Sequence, residues 1–581
     1  MSGTTLPAGG RALTIGRVAG MPVAHLVLIG VVALLLFWGS LRHGMPYGNS
    51  YHYNLTWTNE VAEQMAAGTL YPRWLPSTWG GAGSPDFYFY PPLFFLVSGA
   101  FTVLSGLGAA FSQVWTAMLF HAVSGIGTWR LARSLEIAPL GCLAAAIALM
   151  AAPYHLIDWV IRNANAELAG YAALGFVLSG AIDVMRRRRG HLVLGCATMA
   201  AMLSHILLAP IAGLACAVLT LVFWRDATLR RLVEATVAGV AGVVAAGVYV
   251  VPAMLLRHTV DDEVLTDYHW SAHLLTLDNL GGTIVAWVYA ANALHLAVIV
   301  IVLLALRHRL PAAAAAVAAL TALCWFMWSP LAAPLYAHTP LEMLQFPWRF
   351  SVLADHAWAL AVGMAVAGLA ASASMFRRIV LGAALVLTTA GLLLFQPAFW
   401  QAPRATLWEP WTVYELRISP LEWLSAGTGE RPFSFEDLKA RQAPLPPLDG
   451  APTVRVDGGS VDGGSVTVIA EAAREITFAT TCESSCAVTF RRNYWAFWRL
   501  VSRDDGAEVA LAPARPHPLA TAVLPAGEHR WRLRLERPAV EYAGWAVSGL
   551  GILGLVAMAL VVRRRERVGE ESGRGKQGHV L

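Results

Sequence analysis

The stretch from Pro153 to Glu167 holds three charged residues at spacings that suit chemistry. Asp158 and Arg162 are four apart, so one helical turn sets their side chains together as an ion pair. Glu167 follows nine residues after Asp158, which on one continuous helix is the opposite face. Asn163 and Asn165 can each cap a new helix, and a break there turns both acids toward one cleft. Glu167 then falls in a first helical turn, where the macrodipole favours its ionised form. A carboxylate so placed can take a proton from an attacking hydroxyl. The guanidinium beside it can hold an anion. The alternative is a membrane-surface loop with solvated charges, but acids this close to apolar helix ends are costly without a role.

A second run, Leu344 to Phe350, places Gln345 and Arg349 around Pro347 and Trp348 just before an apolar segment. Pro347 presets a helix entry and Trp348 suits a membrane interface. Arg349 at that level can pair with a lipid phosphate or serve as an interfacial anchor. A third group lies earlier. His52, Glu60 and Glu63 precede Tyr71-Pro72-Arg73-Trp74 and Asp86-Phe87-Tyr88-Phe89-Tyr90, which flank Gly80-Gly81. This is an aromatic surface with one Arg and one Asp, fit to receive a sugar ring or simply to sit at an interface.

Asp261, Asp262 and Glu263, with Asp267, His269 and His273 nearby, read as a solvated loop more readily than as a cation site. His205 reads as a hydrogen-bonded core residue. Because no P-loop, GxGxxG, HExxH or Gly-x-Ser-x-Gly motif stands in a supporting context, nucleotide-driven chemistry has no sequence support. No cofactor is expected and no residue is singled out as a metal ligand, while a divalent metal stays open.

The elements that must position these residues are apolar helices. The chain has 581 residues, is 57% hydrophobic and only 14% charged, a balance that points to lipid as the solvent. Thirteen apolar runs fall near 22–41, 91–107, 112–131, 138–153, 166–184, 191–203, 206–223, 231–254, 284–306, 311–328, 351–371, 379–396 and 541–562. Short arginine clusters follow many of them, as at Arg186 to Arg189 and Arg563 to Arg565. Such clusters obey the positive-inside rule, whereas a nucleic-acid binder needs one continuous basic face. All clusters are cytoplasmic if the run at 91–107, which opens on Pro91-Pro92, does not cross. That leaves about twelve transmembrane helices with both termini inside. The expected organisation is a cytoplasmic N-terminus (1–21), a transmembrane unit (22–396) with an outer loop at 42–90, an outer segment (397–540), a final helix (541–562) and a cytoplasmic tail (563–581).

In 397–540 the pattern turns to period two, as in Ser465 to Ile469 and Arg530 to Leu535, punctuated by Gly458-Gly459 and Pro525-Ala526-Gly527. Such alternation predicts a small antiparallel β-sandwich. Cys482 and Cys486 fall inside it, where an oxidising compartment permits a disulfide across a very short loop.

Taken together, these motifs resemble the GT-C superfamily of membrane glycosyltransferases, which take sugar from a polyprenyl-phosphate carrier. The nearest resemblance is to bacterial membrane proteins labelled 6-pyruvoyl-tetrahydropterin synthase-related, of YfhO-like type. It rests on Leu70 to Trp74, Phe89 to Leu93, Tyr154 to Glu167, Gln345 to Arg349, and the outer-domain pieces Asn493-Tyr494-Trp495 and Leu524 to His529. It implies a mainly α, polytopic fold with a C-terminal extracytoplasmic β-sandwich, seated in the bacterial inner membrane. It also implies inverting transfer from a polyprenyl-phosphate sugar to a glycan, lipid or protein acceptor. A carboxylate acts as base, and basic groups hold the carrier phosphate. The residues expected for catalysis are Asp158, Glu167, Glu60, Asp86 and His52. Those expected for substrate and phosphate are Arg162, Arg349, Arg73, Tyr88, Tyr90 and Gln345. One departure stands out: relatives usually carry an Asp early in the first loop, where this chain has Gly48-Asn49-Ser50. The alternative reading is a non-catalytic membrane protein that binds or transports polysaccharide or lipid-linked intermediates. Transport predicts ionisable residues deep in several helices, and Asp355 and His356 are the visible candidates.

Overall fold

The computed structural model describes residues 17–260 (Ala19 excepted), 269–276, 283–401, 454–456, 464–514 and 519–577. The chain is mainly helical. In order, the helices of eight or more residues are α1 (Val23–Leu36), α2 (Tyr51–Ala66), α3 (Leu93–Ser105), α4 (Ala109–Ser134), α5 (Pro139–Met150) and α6 (Pro153–Val160). Then come α7 (Asn165–Arg187), α8 (His191–Ser204), α9 (Leu208–Val222), α10 (Leu229–Ala245) and α11 (Gly247–Leu255). Last are α12 (Thr283–Leu306), α13 (Pro311–Trp328), α14 (Ser351–Ala371), α15 (Met375–Gln401) and α16 (Ala539–Gln577).

Seven segments of the described residues are long and apolar enough to cross a membrane, or eight if α10 and α11, bent by 72°, form one span. This is the pattern of a multi-pass membrane protein, with fewer full-length spans than the twelve expected. The difference lies in length. Helices α1, α3, α8 and α9 have 14, 13, 14 and 15 residues, which at about 1.5 Å per residue fall short of a ~30 Å hydrocarbon core. The apolar runs are present, but turns cut some of them short. The chain turns out of α8 at His205, whose backbone is extended.

Helix α14 is the hub. Every side chain from Ser351 to Ala365 is buried. Helix α5 crosses it where a Cβ on Gly363 would lie 2.6 Å from the carbonyl oxygen of Gly141. The two backbones touch there, and only glycine permits it.

Among the described residues the β region has nine strands: β1 (Val454–Val456), β2 (Ser465–Ala472), β3 (Glu475–Cys482), β4 (Cys486–Asn493), β5 (Trp498–Ser502), β6 (Glu508–Val509), β7 (Ala512–Pro513), β8 (Leu519–Leu524) and β9 (Gly527–Leu535). They form two antiparallel sheets, ordered β1-β4-β8-β7 and β2-β3-β9-β5-β6. Alternation along β9 is clean, with Trp531, Leu533 and Leu535 buried between exposed neighbours, as a sheet with one packed face requires. Cys482 and Cys486 are disulfide-bonded across the β3–β4 turn.

The β region sits on the first loop. The backbone NH of Asn493 donates to the Ala82 carbonyl at 2.8 Å, its side chain donates to Gly83 at 2.7 Å, and Arg492 donates to Gly81 at 2.9 Å. Trp74 stacks on Trp495. The motif pieces around Asn493 and Trp495 are thus the contact by which the sheets hold the first loop.

Candidate active site

The break expected after Asp158 is present. Pro153 starts α6 at its first position, where a missing NH costs nothing. Asn163 ends it by adopting a left-handed φ of 49°, and its side-chain NH₂ donates to the Trp159 carbonyl at 2.6 Å. Neither asparagine caps α7, however: the N-cap is Ala164, with no side-chain bond. Asn165 instead donates to Gln113 at 2.7 Å. Asn163 therefore acts on the end of α6, through its left-handed backbone and its bond to Trp159, and not as the cap of α7.

The turn brings the charges together. Arg162 pairs with Asp158 through Nη1, and the same nitrogen lies 3.0 Å from Glu167 Oε2 and 2.9 Å from the Tyr154 hydroxyl. That hydroxyl donates to Glu167 Oε1 at 2.5 Å. From the far side of the bundle, Arg349 Nε comes within 3.6 Å of Glu167 Oε2, while its Nη1 donates to the Leu344 carbonyl at 2.7 Å. Trp348 lies flat beneath the Arg162 guanidinium at 4.6 Å, a cation–π contact. Asp158 and Glu167 are fully buried, and Arg162 and Arg349 nearly so. Burial works against the charge on Arg162, but Glu167, Tyr154 and Asp158 more than offset it. They hold its pKa well above the ordinary value.

Two arginines and two carboxylates so arranged are close to neutral as a set, which is how buried charge is tolerated. Their engagement is unequal. Glu167 faces Tyr154, Arg162 and Arg349, whereas Asp158 pairs with Arg162; like Glu167 Oε2, Asp158 Oδ2 and Arg349 Nε make no hydrogen bond. Those two atoms are a bare acceptor and a bare donor at one site, fit for a proton and an anion respectively.

The first loop reaches this site by its beginning. Asn49 NH donates to the Ile161 carbonyl at 3.0 Å and Ser50 NH to the Arg162 carbonyl at 3.1 Å. A Cβ on Gly48 would meet Asn163 Oδ1 and the Ile161 carbonyl at 2.5 Å each, so only glycine fits. The Gly48-Asn49-Ser50 segment is therefore pressed against the arginine loop. Tyr90 stands at the loop's other end, its ring tilted against Trp57 at 4.3 Å and within electrostatic reach of Arg349. Gln345, four residues before Arg349, holds a positive φ of 58°.

The other expected residues serve elsewhere. Arg73 and Tyr88 point away from Asp158, toward the final helix. Tyr88 donates to Glu541 Oε2 at 2.8 Å, Arg73 Nε lies 3.7 Å from Glu541 Oε1, and Arg73 Nη2 donates to the Val248 carbonyl at 2.6 Å. Arg73 also covers the Tyr71 ring at 4.1 Å. This is a buried clasp between the first loop, α11 and α16. Glu60 accepts the Ser77 NH at 3.2 Å and Asp86 accepts the Trp57 indole NH at 2.5 Å, so both acids brace the loop. His52 shares a hydrogen bond of 2.9 Å with Tyr47 at a half-exposed position, and partial burial holds its pKa below the ordinary value.

Asp261, Asp262, Glu263 and Asp267 lie outside the described residues. Among the described residues no cluster of three potential metal ligands occurs. Tyr154, Trp348 and His205 were noted in the sequence but not among the expected site residues. Tyr154 could have been, since it is four residues before Asp158 on the same helical face.

No protein-family model and no curated protein matches the chain. Among solved structures, the arabinofuranosyltransferase AftD from Mycobacteria aligns at 17% identity and a TM-score of 0.43, over 65% of this chain and 27% of that one. The chain thus spans about a quarter of that protein. ArnT from Cupriavidus metallidurans, solved bound to undecaprenyl phosphate, aligns at 18% identity and a TM-score of 0.38, over 65% of this chain and 77% of that one. The Archaeoglobus fulgidus oligosaccharyltransferase, tethered with an acceptor peptide, aligns at 13% identity and a TM-score of 0.43, over 71% and 61% respectively.

Proposed function

We propose that the chain is a membrane glycosyltransferase-like protein. It transfers a sugar from a polyprenyl-phosphate carrier to a cell-envelope glycan, lipid or protein at the outer face of the bacterial inner membrane. The observation that carries this reading is the convergence of Arg162 and Arg349 on Glu167, with Asp158 beside them, in a buried site at the ends of membrane-spanning segments. The motif resemblance to GT-C enzymes of the YfhO-like group points the same way.

The division of labour follows from which atoms are committed. Glu167 positions the two guanidiniums. Arg349, with a bare Nε, and Arg162 take the charge of the lipid phosphate. Asp158 is the base. The acceptor oxygen attacks the anomeric carbon and the carbon–oxygen bond to the lipid phosphate breaks, its electron pair leaving on the phosphate. The acceptor's proton passes to Asp158. One such displacement inverts the anomeric configuration. Tyr90 stands on the first-loop side of this site.

The alternative, a protein that binds or transports lipid-linked intermediates without chemistry, is favoured by two observations. Asn49-Ser50 occupies the place of the expected acid. Several ionisable residues also lie deep in the helices, which transport predicts. The two readings separate on incubating the purified protein with a panel of polyprenyl-phosphate sugars and acceptors: turnover supports the enzyme, and carrier binding without turnover supports the alternative.

A further inference from the structure

A second group of ionisable side chains lies deeper than the Asp158–Glu167 site. Asp355 is on α14, two turns past Arg349 and fully buried. Its Oδ2 accepts from the Tyr171 hydroxyl of α7 at 3.1 Å and from the His155 backbone NH of α6 at 3.2 Å. Its Oδ1 faces His295 Nδ1 of α12 at 3.6 Å, and neither atom has a hydrogen-bond partner. Beside it four rings form a column. His121 of α4 stacks on His155 at 3.9 Å, His155 on Tyr171 at 4.2 Å, and Tyr171 on His356 of α14 at 6.0 Å.

The hydrogen bonds of this column define where its hydrogens must be. His121 Nε2 meets the Met150 carbonyl at 2.5 Å, His155 Nδ1 the Leu149 carbonyl at 3.3 Å, and His356 Nδ1 the Val352 carbonyl at 2.7 Å. A carbonyl only accepts, so each of those nitrogens carries the hydrogen. The opposite nitrogens, His121 Nδ1, His155 Nε2 and His356 Nε2, are then bare lone pairs, and all three are buried without a partner. With Asp355 Oδ1, this makes a set of acceptors drawn from α4, α6 and α14, with His295 of α12 facing it. Buried acceptors without donors are costly, and ionisable groups inside membrane helices persist where they have a role.

We propose that Asp355 and His295, with the His121–His155–Tyr171–His356 column beside them, form a proton-binding site inside the membrane-spanning helices. A proton entering the set is shared between Asp355 Oδ1 and His295 Nδ1, which gives both atoms a partner and removes a net charge from an apolar surround. The groups facing Asp355 are His155 and Asp158 from α6, Tyr171 from α7, His295 from α12 and Cys324 from α13, with His356 next to it in the chain. Asp158 is thus within electrostatic reach, so loading Asp355 makes the site above easier to charge. The inference does not depend on sugar transfer. It holds for a transporter as for an enzyme.

The test is labelling of the full chain in detergent with N,N′-dicyclohexylcarbodiimide, a lipid-soluble reagent that attacks protonated carboxyls, read by peptide mass spectrometry. The expected result is an adduct on Asp355 at least ~10-fold more abundant near pH 5 than near pH 9. In His295→Leu the midpoint should fall by about one pH unit, because the bound proton loses its second partner. A second measurement guards against misfolding of that variant. Infrared difference spectra of wild type against Asp355→Asn should lose one protonated-carboxyl band that fades as pH rises. If the Asp158 peptide labels but Asp355 does not at any pH, or if Asp355→Asn removes no such band, Asp355 binds no exchangeable proton and the proposal falls.

Discussion

Tyr154 and Glu167 meet hydroxyl to carboxylate at 2.5 Å across the break between α6 and α7. The same hydroxyl accepts from Arg162, so one phenol oxygen ties the acid of the second helix to the base of the turn. Replacing Tyr154 with Phe removes both bonds while keeping the ring over its neighbours. A hydrogen bond to a buried charge contributes about 1.5–3 kcal/mol. Tyr154→Phe should therefore lower the thermal midpoint measurably, while polyprenyl-phosphate affinity changes less than ~3-fold.

Arg349 should behave in the opposite way. Its Nη1 is tied to the Leu344 carbonyl, but its Nε is bare and Glu167 keeps Arg162 if Arg349 is lost. Arg349→Ala should weaken binding of undecaprenyl phosphate by ~10-fold or more with a smaller cost in stability, and Arg349→Lys should restore only part of it. Native mass spectrometry with a lipid titration reads both.

Glu541 is predicted to matter although it is far from the acids in sequence. It holds Tyr88 and Arg73 of the first loop at once. Burial first, and then Glu541, raise the pKa of Tyr88, so its hydroxyl remains the donor. Glu541→Ala leaves the buried Arg73 without its carboxylate, which costs about 3 kcal/mol. Limited proteolysis should then cut within 71–90 faster than in wild type.

His205 supplies a pH test. Burial, aided by nearby Arg349 and Arg162 and opposed by Glu167, pushes its pKa down to about 3. The folded protein therefore keeps this ring neutral where the unfolded chain, titrating near ~6.5, takes up a proton. The stability it contributes is full above that unfolded value and is lost as pH falls toward the folded one. Thermal midpoints between roughly pH 7 and pH 4 should fall less steeply in His205→Gln than in wild type.

Which parts of this were legible in the sequence depends on how local the cause is. Asp158, Arg162 and Glu167 lie within one short segment, so helical spacing alone brings the first two together. Arg349 was marked by the proline and tryptophan before it. The β-sheets followed from alternation, which survives into β9 residue by residue. What stayed hidden was long-range. Arg73, Tyr88, Glu60 and Asp86 look like site residues because they are polar among aromatics, and their partners Glu541, Val248, Ser77 and Trp57 are known only from the fold. Single histidines in apolar runs, such as His121 and His295, look like core residues one at a time. Their meaning comes from stacking across helices. Hydropathy measures apolar length along the chain and does not see where a turn ends a helix, so the short helices α1, α3, α8 and α9 were not legible as short.

The central claim is that the Asp158–Arg162–Glu167–Arg349 site performs sugar transfer from a polyprenyl-phosphate carrier. The most direct measurement incubates purified wild type and Asp158→Asn with labelled polyprenyl-phosphate sugars and a panel of glycan, lipid and peptide acceptors. The account predicts an inverted product with at least one pair for wild type, and a rate on the order of 10²–10⁴ lower for Asp158→Asn at unchanged carrier binding. Full transfer by Asp158→Asn, or no transfer by wild type with any donor while the carrier still binds, would contradict it.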